Sequence, residues 1–206
     1  MKVETFVVGM VGTNCYLLEQ EDRKELVIID PGEAPDYLIG HIKSIGMVPV
    51  AIVLTHGHFD HIMGIEELVK EFQIPIYVNE VEQKLIADTT LNMSRDFGMN
   101  YTYTNGIGIP DGAVLNLAGY ELQMIETPGH TIGSCCYYLE KEGILFSGDT
   151  LFHRSVGRSD FPTGSTAVLK ESIRNKLLCL PDQTIVYPGH NRITTIGEER
   201  KSNPFI

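Results

Sequence analysis

Short runs of β-branched and aromatic residues open the chain. VETFVV (3–8), NCYLLE (14–19) and ELVIID (25–30) each read as a strand, and Pro31-Gly32 marks a turn after the third. DYLIGHIKSIG (36–46) carries apolar positions at helical spacing and stops at a glycine. PVAIVLT (49–55) is almost wholly apolar and reads as a buried strand. IEELVKEF (65–72) is an amphipathic helix, and IPIYV (74–78) is another strand. Residues 80–93 have a helical pattern. Residues 95–112 hold several Gly, Asn and Tyr and one Pro, which predicts a long loop of the kind that often carries function. Strands follow at 113–117, 120–127, 134–140 and 143–147, then a helix at 167–180 and a strand at 184–188. Strands, helices, strands and a helix again predict two mixed sheets with helices outside them, a layered α/β sandwich. No low-complexity tract or linker interrupts the pattern, so residues 1–206 are expected to form one domain.

The pattern leaves one segment unexplained. VLTHGHFDHIMG (53–64) places His56, His58, Asp60 and His61 between the buried strand and the next helix. No ordinary core needs three histidines and a carboxylate there. Three further candidates follow other predicted strands: His130 in TPGHT, Asp149 in FSGDT and His190 in YPGHN. Each comes directly after a glycine, which permits a tight turn and close backbone approach. His41 and His153 stand apart from this pattern and read as ordinary structural histidines. Strand alternation would send His56 and His58 the same way, with Asp60 and His61 at the start of the next helix. Two sets of three ligands plus a shared carboxylate suit two divalent ions about 3.5–4 Å apart. Imidazole and carboxylate donors suit zinc, and also iron or manganese. A purely structural zinc site would be closed and would usually contain cysteine.

Composition narrows the partners. The net charge of −11 argues against nucleic acid and against an anionic membrane surface. No apolar run is long enough to span a membrane. Cys15, Cys135, Cys136 and Cys179 form no CxxC pair and no disulfide framework. MKVETFVVG lacks the cationic start and apolar core of a signal peptide. A cytoplasmic protein with reduced thiols and a small-molecule substrate is expected. Oligomeric state is not legible.

His56-Gly57-His58-Phe59-Asp60-His61, followed in order by His130, Asp149 and His190, resembles the metallo-β-lactamase superfamily. The resemblance runs from Val3 to the C-terminus. It implies a four-layer αββα sandwich with two metal ions at the edge between the sheets. One ion would be held by His56, His58 and His130, the other by Asp60, His61 and His190, with Asp149 bridging them. Asp30, in IIDPG, would brace the metal loop from outside; a plain turn-forming role is the alternative. GDTLFHRSVGRSDFPTGS (148–165) and the ending YPGHNRITTIGEERKSNPFI (187–206) resemble the glyoxalase II-like group of hydroxyacylglutathione hydrolases and their short bacterial relatives. True β-lactamases usually lack the bridging aspartate and are secreted, so Asp149 points away from them.

The resemblance implies hydrolysis of S-acyl-glutathione-type or similar thioesters by a metal-bridging hydroxide, with Asp60 orienting the water. Arg158 and Arg192 are the candidate substrate-binding residues. Arg158 has a basic counterpart in the family, and it either holds a substrate carboxylate or is a structural arginine that pairs with Asp160 or a backbone carbonyl. Arg192 stands where the family has a tyrosine, and the helical domain that completes the glutathione site in full-length members has no counterpart here. The other readings are a lactonase or phosphodiesterase on the same two metals, and a mononuclear-iron persulfide dioxygenase.

Overall fold

Two six-stranded sheets form the frame of the computed structural model, which describes residues 1–206. In the first sheet β1 (Lys2–Val8), β2 (Thr13–Gln20) and β3 (Glu25–Ile29) make an antiparallel meander. β4 (Val48–Val53), β5 (Ile76–Asn79) and β6 (Ile107–Ile109) then add in parallel. Parallel neighbours need crossovers. These are α1 (Pro35–Ile45), then α2 (Phe59–Ile62) with α3 (Ile65–Phe72), then the short α4 (Gln83–Ile86).

The second sheet contains β7 (Val114–Leu117), β8 (Tyr120–Glu126), β9 (Cys135–Leu139) and β10 (Ile144–Gly148) as an antiparallel run. A small hairpin of β11 (Leu151–Phe152) and β12 (Ser155–Val156) follows. Helix α5 (Thr166–Ser172) then carries the chain back, so that β13 (Ile185–Pro188) lies parallel to β10. β14 (Thr194–Thr195) edges this sheet, and α6 (Ile196–Ser202) closes the chain.

Strand pleating sorts the core into three parts. In β2, Tyr16 and Leu18 point between the sheets, where they meet Tyr137 and Phe146 of the second sheet. Cys15 and Leu17 point the other way, onto Leu38 and Ile42 of α1 and Ile65 and Leu68 of α3. In β9, Cys135 and Tyr137 face the first sheet, while Cys136 and Tyr138 pack on Leu169, Ile173 and Ile196. Both sheets are thus covered on both faces, which is why their central strands read as continuous apolar runs. The result is the four-layer αββα order. Each fully buried Leu, Ile or Phe adds roughly 1.5–3 kcal/mol, and the three clusters between them account for most of the apolar side chains of the central strands. No helix is long and apolar enough to cross a membrane.

Several local expectations need correcting. The helix expected over 80–93 shrinks to a 3-10 turn at Glu80–Glu82 and the four residues of α4. The Asp88 carboxylate accepts the N–H groups of Thr90 and Leu91 and so offers the backbone a turn instead. The loop expected over 95–112 contains β6 and the end of a 3-10 turn at Ser94–Phe97. β6 is too short to show a periodicity of its own and is ordered by pairing with β5. The helix expected over 167–180 widens into a π-helical turn at Ile173–Leu177 and ends there. The two-residue strands and α6 were not anticipated.

At one end the sheets are joined by hydrogen bonds. Cys135 N–H donates to Thr55 O over 2.8 Å, and Asn14 N–H donates to Gly189 O over 2.7 Å. The Tyr137 hydroxyl donates to Leu54 O over 3.1 Å.

Candidate metal centre

Strand direction explains why distant residues meet at this end. β3 and β4 are parallel, and β8, β10 and β13 share one direction in the second sheet. Asp30 follows β3, His56 and His58 follow β4, His130 follows β8, Asp149 follows β10 and His190 follows β13. Asp60 and His61 lie on α2. His56 and His58 do not converge through strand alternation, because β4 ends at Val53. A buried turn brings them together instead, and they offer different ring atoms.

His58 Nδ1 lies 2.9 Å from His130 Nε2, which lies 3.2 Å from His56 Nε2. Beside this trio, Asp60 Oδ2 lies 3.4 Å from His61 Nε2 and 3.3 Å from His190 Nε2. Asp149 stands between the groups. Its Oδ2 is 3.5 Å from both His130 Nε2 and His190 Nε2, and its Oδ1 is 3.5 Å from His61 Nε2.

Four histidines have their inward nitrogen set free by a partner on the other side. His130 Nδ1–H donates to Arg158 O over 2.6 Å, and His190 Nδ1–H to Gly12 O over 3.3 Å. A carbonyl can only accept, so the proton sits on Nδ1 and the Nε2 lone pair faces inward. His61 Nδ1–H donates to Asp30 Oδ2 over 3.0 Å. The Thr55 hydroxyl donates to Asp30 Oδ2 over 2.6 Å, which leaves its oxygen to accept from His56 Nδ1, 3.1 Å away. Asp30 is therefore placed to brace the loop, helped by Thr55 N–H at 2.8 Å. Its own φ of 51° is left-handed, a conformation rare outside glycine and asparagine-like residues. His61 Nε2 and Asp149 Oδ1 are buried without any hydrogen-bond partner. Buried polar atoms normally have one. Converging lone pairs with orphaned atoms among them fit divalent cations, and the cluster can hold a dimetal centre.

The two groups differ electrostatically. Burial pushes His56, His58 and His130 below the ordinary histidine range, keeping them neutral. Burial also works against charge on His61, but Asp60, Asp149 and Asp30 outweigh it and push it up to about 10. His190 is raised as well: burial opposes this, and Asp149 and Asp60 prevail. Asp60 is held well below the usual carboxylate range. Burial opposes ionisation there, yet His61, His190 and the Thr13 hydroxyl, 2.5 Å from Oδ2, win.

Close packing requires glycine at several positions around the cluster, and Gly189 and Gly129 show why. A Cβ at Gly189 would lie 2.1 Å from Asp149 Oδ1 and 2.9 Å from His61 Cε1. Gly129 has φ +131°, and a Cβ there would meet Leu169 N at 2.2 Å.

Sequence reasoning missed three braces. Glu82, fully buried, accepts Gly57 N–H through Oε1 and Gly133 N–H through Oε2, tying the His56–His58 turn to the loop after His130. Burial raises its pKa. Thr13 holds Asp60, and Asn14 Nδ2 donates to Pro188 O and Asn191 O across the His190 loop. A lone Glu, Thr or Asn carries no sequence signal for such a role.

The cluster opens into a cavity of about 390 Å³. Phe59, Met93, Phe97, Phe152 and Phe161 line it beside His58, Asp60, His130, Asp149 and His190. The signal for this wall was present, since Phe59, Phe152 and Phe161 sit near the ligand residues in sequence. Arg158 reaches the cavity edge, but its guanidinium is forked onto Asp160 at 2.9 and 2.7 Å and lies 4.1 Å from the Phe161 ring centroid. Arg192 is not brought to the cavity. Its side chain turns to His153 in a separate shallow depression, and Asn191 takes the lining position instead. His41 pairs with Glu4 at 2.6 Å, and His153 lies 3.3 Å from Thr194 Oγ1; both are outside the cluster.

The model of the metallo-beta-lactamase superfamily matches residues 8–190. The hydroxyacylglutathione hydrolase GloC of Haemophilus influenzae is 34% identical, with 100% of this chain and 98% of that protein covered. Among solved structures, BLEG-1, described as a B3 metallo-beta-lactamase, superimposes with a TM-score of 0.94 at 40% identity, covering 99% of each chain. TTHA1623, solved in a di-iron-bound form, gives a TM-score of 0.88 at 34% identity, covering 98% of this chain and 100% of its own.

Proposed function

Because this chain belongs to the metallo-beta-lactamase superfamily, we propose that it is a dimetal hydrolase acting on thioesters of the S-acyl-glutathione type or similar. The observation that carries this reading is the set of inward lone pairs at the cavity floor, in a cavity whose lining has no serine or cysteine to act as nucleophile. His56, His58 and His130 would hold one ion, Asp60, His61 and His190 the other, with Asp149 serving both. Such ions, when bound, supply a water ionised near neutral pH and Lewis-acid polarisation of a carbonyl. Zinc suits these donors; iron suits them too, and the di-iron form of TTHA1623 supports it.

The chain's own carboxylates do the positioning. Asp60, fixed by Thr13, orients the attacking water towards the acyl carbon. Attack forms a C–O bond and breaks the C–S bond, releasing a carboxylate and a thiol. The likeness to GloC supports the thioester class. The net charge of −11 supports a small-molecule substrate rather than nucleic acid or an anionic membrane surface.

The test pairs metal content by mass spectrometry with S-lactoylglutathione hydrolysis on one sample. Two metals per chain with metal-dependent hydrolysis is the expected result. Turnover at the full rate by metal-free protein would sink the proposal. A single iron with oxygen uptake on glutathione persulfide would replace it with a persulfide dioxygenase. A second reading, β-lactam hydrolysis, is favoured by the 40% identity to BLEG-1. Nitrocefin turnover exceeding thioester turnover would put that reading first.

A further inference from the structure

The cavity wall has a chemistry that the ligand cluster does not need. Phe161 stands edge-on to His58, with ring centroids 5.6 Å apart, and Phe152 edge-on to His190 at 6.0 Å. Phe97 packs on Phe59 at 4.5 Å yet remains 45% exposed. Beside it Met93 sits at φ 68°, a left-handed conformation that costs energy in a non-glycine residue. This segment is built rather than loose. Buried Asn92 donates from Nδ2 to Tyr101 O over 2.8 Å and accepts Ser94 N–H over 2.9 Å. Its carbonyl accepts Phe59 N–H over 2.9 Å, fastening the segment to the helix that carries Asp60 and His61. Exposed Phe97 and half-buried Met93 and Phe161, beside a polar cluster, offer a surface for an apolar group.

Charge points the same way. Arg158 is the one lysine or arginine lining the cavity, and Asp160 already occupies its fork. Glutathione carries two carboxylates, and no unpaired cation in the lining meets either. The wall thus offers an apolar group contact surface and offers glutathione no unpaired cation.

Resting on the thioesterase reading, we propose that Met93, Phe97, Phe152 and Phe161 form an acyl subsite, and that the substrates are thioesters whose acyl part is an apolar chain or ring. The discriminating comparison uses one small neutral carrier, N-acetylcysteamine, bearing hexanoyl or lactoyl. In the zinc-loaded protein kcat/KM for hexanoyl should exceed that for lactoyl by about tenfold or more. Phe97→Ser, at an exposed position and checked for an unchanged melting temperature, should remove most of that ratio. A lactoyl preference, or a ratio untouched by Phe97→Ser, overturns the proposal. Calorimetry with the non-hydrolysable thioether S-hexyl-N-acetylcysteamine on metal-free protein separates the two readings. If no thioester is hydrolysed, the thioesterase reading fails. Thioether binding weakened severalfold by Phe97→Ser then still supports the apolar subsite, and absent binding overturns it.

Discussion

The three-imidazole group and the Asp60–His61–His190 group lie on either side of Asp149, and they are made differently. His56, His58 and His130 are buried, neutral and without a carboxylate of their own. The other group contains Asp60, abuts Asp149 and Asp30, and holds its histidines towards the charged state. His190 is also the only member of either histidine set that is not fully buried. One segment of six residues feeds both groups, so the difference comes from the surroundings, not from the motif. Desolvation governs the first group and nearby negative charge governs the second.

Removing the shared element should have the largest effect. On the proposed function, Asp149→Ala is expected to lower thioester hydrolysis about a thousandfold or more, since two ions placed by this carboxylate would supply several kcal/mol of stabilisation. Metal content should fall below two per chain in the same sample. Near-normal turnover with two metals retained would remove Asp149 from the site.

Next come the single-group variants. His58→Ala and His190→Ala should each leave about one metal per chain, with the greater loss of activity in His58→Ala. His58 sits in the dry group, whereas His190 is partly exposed and its outer hydrogen bond is a long 3.3 Å. The reverse order would refute the contrast drawn between the groups.

A pH titration sharpens it further. Metal binding requires neutral imidazoles and displaces any protons they hold. His61 and His190 have raised pKa values in the metal-free protein, so affinity in their group should climb steadily with pH from about 6.5 upward. The three-imidazole group, already neutral there, should show a flat response. Competition with a chromophoric chelator at fixed pH steps reads both slopes, and parallel slopes would contradict the assignment.

The smallest effects belong to the braces. Asp30→Asn should weaken metal affinity roughly tenfold, within the range for residues that orient ligands. Glu82→Gln, which keeps one acceptor for Gly57 or Gly133, should cost less than that. An effect of Glu82→Gln larger than that of Asp30→Asn would make the dry group the more dependent on its bracing.

Legibility in the sequence followed how unusual each residue is in its place. Histidines and aspartates clustered at strand ends have no role in an ordinary core, so all seven ligand candidates stood out, whereas Asp30 was picked out only by the family resemblance, its strand-turn context alone reading as a plain turn. The layered fold was readable because β2, β3, β4, β9 and β10 are long apolar runs with clear bounds. β6 and β14 were not, since two or three residues carry no period and are ordered only by their neighbours. Glu82 and Asn92 were invisible for a related reason. Their work depends on partners 25 to 51 residues away in one case, Gly57 and Gly133, and on the backbone of Phe59 and Tyr101 in the other. Arg192 was placed by its distance from His190 along the chain, but the left-handed turn at Asn191, φ 67°, swings it away.

The hydrogen-bonded seam between the sheets has a consequence for how the molecule holds together. Residues 56–61 belong to the first half of the chain and residues 130, 149 and 190 to the second. An ion held from both sides would therefore be a removable cross-link between the two halves. Whatever occupies the cluster draws the folded state down by mass action. The two sheets should come apart more readily when a chelator is present. Because these contacts span the longest separations in the chain, the seam is also expected to close late in folding, after each sheet has assembled around its own helices.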